Sequence, residues 1–203
     1  MKSKLFGLSV AVLFCLSSSA FAHSKSEFHD GMRKLWEDHV TWTRLYIISA
    51  AAGLPDTNLT AQRLLDNQRD IGNAVADFYG KDAGDKLTSL LRDHILIAAD
   101  LVTASKAGDQ AKAASAKTRW YANASDISKF LHTANPKNWP EATLQGAMKT
   151  HLDQTLEEAT HRLQGKYDED IKDYDEIVKH ILMMADVLSN GIIAQFPAKF
   201  DRP

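Results

Sequence analysis

Apolar residues recur at intervals of three and four along almost the whole chain, and no stretch alternates apolar and polar residues as a half-buried strand would. That period matches the turn of an α-helix, so each segment can hide its apolar stripe only against other helices. Glycine and proline fall almost wholly between the periodic segments. The pattern predicts helices over 26–52, 59–79, 83–106, 110–133, 141–164 and 167–194. The connections "GLPDTN", "YGKDAG", "KAGD", "NPKNWP" and "QGKYD" are short, which makes consecutive helices antiparallel neighbours. The expected fold is an all-α bundle of six helices, built as three αα-hairpins over about 26–80, 83–134 and 141–196.

The first 22 residues stand apart. Lys2 and Lys4 precede an apolar run over 5–16, and small residues close the segment at Ala20 and Ala22, the pattern of a cleaved signal peptide. The rest, 23–203, reads as a single domain. The one cysteine, Cys15, lies inside the apolar run after Phe14, where a lipoprotein would need a small residue. Cleavage would therefore leave a chain without disulfides or thiolate chemistry, periplasmic or secreted and not lipid-anchored. Without Lys2 and Lys4 the basic residues fall from 24 to 22 against 26 acidic ones. Such a mildly acidic chain has no basic stripe for nucleic acid, and no uninterrupted apolar run after the leader predicts a transmembrane segment. Nothing in the sequence identifies a protein partner.

"LWEDHV", "LLRDHI" and "AMKTHL" align without gaps and put His39, His94 and His151 in register, at spacings of 55 and 57 residues. The helices that follow carry "RLLDNQRDI", "RWYANASDI" and, more loosely, "KHILMMADV". This alignment puts Asp70, Asp126 and Asp186 in register, with Met183 where Asn67 and Asn123 stand. Each histidine falls on the inward stripe of its helix; His39, for example, shares its face with Leu35, Trp36, Trp42, Thr43 and Tyr46. A buried imidazole and a buried carboxylate each need partners, so the expected pairs are His39 with Asp70, His94 with Asp126 and His151 with Asp186. Three hairpins about a common axis would bring the three histidines together. Imidazoles oriented by carboxylates are a known setting for zinc, iron or copper. The leading reading is thus non-catalytic metal binding or handling, with His39, His94 and His151 as ligands and Asp70, Asp126 and Asp186 behind them. Two others stay open: a structural or interaction protein whose histidines are core fasteners, and an enzyme using a histidine general base.

Weaker candidates sit elsewhere. His151, Thr155 and Glu158 share a face, and Glu158 with His180 could complete a local metal set, unless Glu158 is simply solvated or paired with Arg162. His23 would begin the mature chain and could chelate copper through its amine and ring, with His29 near; a solvated tail is the plainer expectation. His132 and His161 read as surface residues. Trp36, Trp42, Trp120, Tyr121, Met183 and Met184 read as packing residues. No phosphate-binding Gly-x-x-x-x-Gly-Lys loop and no Gly-x-Ser-x-Gly elbow is present, and no serine, histidine and aspartate are spaced as a triad.

Together "LWEDHVTWTR", "RDHILIAADLV", "RWYANASDI" and "QFPAKF" resemble a family of uncharacterised bacterial exported helical proteins, over nearly the whole mature chain. That resemblance implies a helical fold and no particular activity. "DH" followed by aliphatic residues also resembles hemerythrin-like domains, a likeness that implies helix-borne iron ligands. The chain departs from that family's His-x-x-x-Glu and His-x-x-x-His pairs, since Ala98 follows His94 by four and Thr155 follows His151 by four.

Overall fold

The computed structural model describes residues 24–200, so the leader, with its cleavage site, and His23 lie outside the described residues. Six helices follow one another: α1 (Lys25–Ala52), α2 (Thr57–Tyr79), α3 (Lys81–Lys106), α4 (Gln110–Ala134), α5 (Glu141–Leu163) and α6 (Tyr167–Gln195). A short 3-10 turn over Pro197–Lys199 ends the described chain, and no strand occurs among the described residues. The fold class is therefore all-α, as the periodicity predicts.

Local chemistry sets the ends. Ser24 accepts a hydrogen bond from the Glu27 amide at 3.3 Å and starts α1. Asp109 does the same for α4 through the Lys112 amide at 3.0 Å. Gly53 stops α1 at φ 67°, a left-handed position where a side chain would be strained.

Each helix packs against its neighbours in the chain, and α6 returns to α1, so the six form a closed ring. Helix α1 also reaches α3 and α5 across that ring. The interior is filled by Trp36, Ile71, Ile127, Leu152, Ile181 and Ile192 among others. Helices α2 and α3 approach so closely that a Cβ on Gly72 would lie 1.9 Å from Thr88 Oγ1 and 2.8 Å from the Gly84 carbonyl oxygen. The connection after α4 is pinned to α6, where Asn135 Nδ2 donates to the Gly191 carbonyl at 2.9 Å and Trp139 Nε1 to that of Val187 at 3.2 Å.

Helix α6 qualifies one expectation from the sequence. By length and composition it is apolar enough to cross a membrane, an 18-residue window within it having a mean hydropathy of 1.5, although no uninterrupted apolar run betrays it. Half of that window is buried inside the bundle. Ile177, Ile181, Ala185, Leu188 and Ile192 supply the buried side.

Candidate functional site: a layer of buried histidines

His39 on α1, His94 on α3 and His151 on α5 are 2, 2 and 4 % exposed, so three helices alternating along the chain each send one imidazole into the core. The rings lie close together, His94 and His151 stacked and His39 tilted against His151. His151 stands between the others, its centroid 5.6 Å from that of His39 and 6.3 Å from that of His94. Trp36 flanks His39 at 5.7 Å and Trp120 flanks His94 at 5.3 Å.

The groups that hold these rings are amides, which corrects the expected aspartate partners. Asp70 and Asp126 are exposed on α2 and α4. Asp186 sits at the rim, 3.0 Å from His29 Nε2 and 2.7 Å from Arg33 Nη1. The reason is desolvation: a carboxylate in a dry layer of neutral rings would have no cation to pair with, whereas an amide can satisfy itself there. Asn123 Nδ2 donates to the Leu90 carbonyl at 3.1 Å, so its Oδ1 accepts from His94 Nδ1 at 2.8 Å. That leaves the lone pair of His94 on Nε2. Gln68 Nε2 donates to the Leu64 carbonyl and to Asn67 Oδ1, and lies 3.2 Å from His39 Nδ1. His151 has no such helper. Its Nδ1 is buried without a hydrogen-bond partner, as are Trp36 Nε1, Gln68 Oε1 and Trp120 Nε1 in the same region.

The third hairpin also differs from the alignment. Asn67 donates to the Leu35 carbonyl and Asn123 to that of Leu90, each four residues before a core histidine. In the third hairpin His180 Nε2 makes the same bond, to the Ala147 carbonyl at 2.9 Å, four before His151. His180, rather than Met183, therefore stands in the asparagine's place, and Met183 is 56 % exposed. A loose run of apolar residues hid a shift of three positions. The bond spans 32, 33 and 33 residues in the three cases, a regularity visible only once the bonds are known.

Burial sets the protonation of the layer. Loss of water pushes His39 down to about 3, with the nearby His94 acting the same way and the Gln68 bond opposing. His94 is pushed down to about 4 by burial against the pull of Asn123. His151 is held well below the ordinary value by burial and by the fields of His39, His94 and His180. All three rings are therefore neutral at ordinary pH.

On the C-terminal side of the layer in α1, α3 and α5 lies a cavity of about 40 Å³, lined by Thr43, Ala98, Thr155 and Trp120. The first three each follow a core histidine by four residues. Thr43 and Thr155 turn their hydroxyls back to the His39 and His151 carbonyls at 2.8 Å, so the wall they present is apolar. On the opposite side Met32, Trp36, Leu87 and Trp139 border a cavity of about 10 Å³, and Trp36, Leu144, Ala147 and Met148 border another of about 150 Å³.

The weaker candidates separate. Glu158 does not join His180 or His151; its carboxylate meets Arg44 Nη1 at 2.6 Å, and Arg44 also holds Asp170 at 2.8 Å. Burial pushes Glu158 up to about 7 in spite of Arg44, with Asp170 and Asp173 pushing the same way. Arg162 bonds Asp170, at 3.3 Å, which corrects the expected Glu158–Arg162 pair. His29, expected beside His23, pairs with Asp186. His132 is half-buried, its Nδ1 donating to the Trp139 carbonyl at 2.9 Å. His161 is no plain surface residue either: its Nδ1 lies 2.7 Å from Asp173 Oδ2.

Among the described residues, the set of three potential ligands whose ligating atoms all fall within 4.8 Å of one another is Glu157, His161 and Asp173, and the three core histidines are not such a set. The spacing of Glu157 and His161, four apart on α5, was the available signal for two of the three; Asp173 is supplied by the hairpin. Compared with models of protein families, with curated proteins and with solved structures, the chain has no match in any of the three.

Proposed function

We propose that the protein binds a transition-metal ion in its interior, in a non-catalytic binding or handling role, with His39, His94 and His151 as the ligands. The observation that carries this reading is His151 Nδ1, buried and unpartnered between two neutral imidazoles. An orphaned ring nitrogen costs about 1–3 kcal/mol in a dry core, a cost that coordination would remove. Neutral imidazole is the form that ligates zinc, copper or iron. The hydrogen bond from His94 Nδ1 to Asn123 Oδ1 fixes the orientation of that ring, with Asn123 in the place of a carboxylate. With no carboxylate in the layer, low net charge is favoured, either copper(I) or a divalent ion carrying an anionic fourth ligand. Taking an ion requires the rings to turn about their side-chain torsions, because their nitrogens do not all lie within 4.8 Å of one another.

The test is equilibrium dialysis of metal-free protein against Zn(II) and, under reducing conditions, Cu(I), read by elemental analysis and thermal unfolding. The wild type is expected to retain an interior ion that raises Tm, and His151→Leu to hold one ion fewer than the wild type while keeping its helical circular dichroism. An unchanged metal content in His151→Leu would overturn the assignment.

A fastener role is the second reading, favoured by the recurring side-chain bonds from Asn67, Asn123 and His180, which tie each hairpin without any ion. Rings pushed down to about 3 and 4 are poor proton acceptors at neutral pH, which weighs against a general base.

A further inference from the structure

At the far end of the α5–α6 hairpin, outside the histidine layer, Glu157 and His161 stand one helical turn apart on α5, and Asp173 faces them from α6. The i, i+4 spacing puts Glu157 and His161 on one face. His161 and Asp173 have side chains 20 and 18 % exposed, and Glu157 is exposed, so an ion can enter from water while two of its ligands are held by packing. The surroundings carry surplus negative charge. Glu158 and Asp170 lie next to the set and are bridged by Arg44, with Arg162 on Asp170 as the other neighbouring cation. Two guanidinium groups thus face the carboxylates of Glu157, Asp170 and Asp173, with Glu158 beside them. A divalent cation would offset the residual negative charge.

We propose that Glu157, His161 and Asp173 form a second, exterior metal site for a divalent transition ion of the zinc class. Two carboxylate oxygens and one imidazole are a borderline ligand set, and water fills the remaining positions because the site faces solvent. Binding displaces the His161–Asp173 hydrogen bond and brings both groups onto the ion, which then staples α5 to α6 beside their connection. This site is independent of the interior one: it shares no residue with the histidine layer and does not need its rings to turn.

The experiment is isothermal titration of the metal-free full chain with Zn(II), on the wild type, His151→Leu, His161→Ala and Asp173→Asn. His151→Leu is expected to keep the exterior ion. His161→Ala and Asp173→Asn are each expected to weaken it by about 100-fold or more, since losing even an outer-shell partner costs 10–100-fold. Circular dichroism should be unchanged in both, because the substituted side chains reach solvent. If His151→Leu binds no zinc, or if His161→Ala and Asp173→Asn bind as the wild type does, the exterior site is overturned. A wild type that binds one ion, kept in His151→Leu and lost in His161→Ala, would support the exterior site and sink the interior one.

Discussion

A histidine whose folded pKa lies below its ordinary 6.5 takes up its proton more readily in the unfolded chain. Stability of the metal-free protein must then fall as pH is lowered through 6.5, at about 1.4 kcal/mol per pH unit for each such ring, until the folded ring itself titrates near 3–4. Glu158 works the other way. Its folded pKa is raised to about 7, so its contribution is full below the ordinary 4.5 and lost as pH rises through 7. Three rings outweigh one carboxyl, so urea midpoints of the metal-free chain should drop steadily from pH 6.5 to 4.5. His94→Gln should flatten that slope by about one proton, the number its ring contributes to the linkage. A flat profile in the wild type would mean the rings are not dry. A second contrast tests which side chain holds His94. Asn123→Ala leaves both His94 Nδ1 and the Leu90 carbonyl without their partner and should cost about 2–4 kcal/mol in urea unfolding. Asp126→Ala, at an exposed position, should stay within about 0.5 kcal/mol. These residues show how far a sequence carries. The inward histidines were legible because a polar residue on an apolar stripe is a clear signal. Their partners were not: Asn123 and Asp126 lie three apart, and only packing decides which of them the core admits.

Between elements, α2 and α3 approach closely where Gly72 and Gly84 let the backbones meet. Gly72→Ala would force a methyl group against Thr88 Oγ1 and the Gly84 carbonyl, and backbone cannot move aside as a flexible side chain can. The expected loss is about 1–3 kcal/mol by thermal unfolding, typical of overpacking a filled interior. An unchanged Tm would show that the helices can part freely. The helices themselves were readable from periodicity, with starts and stops shifted by three residues or fewer from the observed ends. Periodicity failed on α6, where "KHILMMADV" fits several registers equally well. The hydrogen bond to the Ala147 carbonyl selects His180, and no run of apolar letters contains that choice.

At the scale of the whole molecule, one side chain joins three helices. Arg44 of α1 bonds Glu158 of α5 and Asp170 of α6, and its guanidinium lies 4.7 Å over the Tyr174 ring. Arg44→Ala would strand two buried carboxylates with Arg162 alone to answer them, so urea unfolding should show a loss of about 3–5 kcal/mol. Arg44→Lys should recover only part of it, because an ammonium group lacks the planar fork that spans two carboxylates. Equal stability of all three proteins would remove this network from any account of how the ring closes.

By itself the sequence determined that the chain is helical, where the helices run, and that His39, His94 and His151 point inward, because these follow from the fit of side-chain spacing to the turn of a helix. What only the tertiary structure decided is company: amides beside the rings in place of aspartates, His180 in the asparagine's place, and Asp173 brought to Glu157 and His161. Helical spacing is a property of one segment, whereas desolvation and charge pairing depend on which segments meet, and residues far apart in the chain are weighed against one another only when packing excludes water from between them.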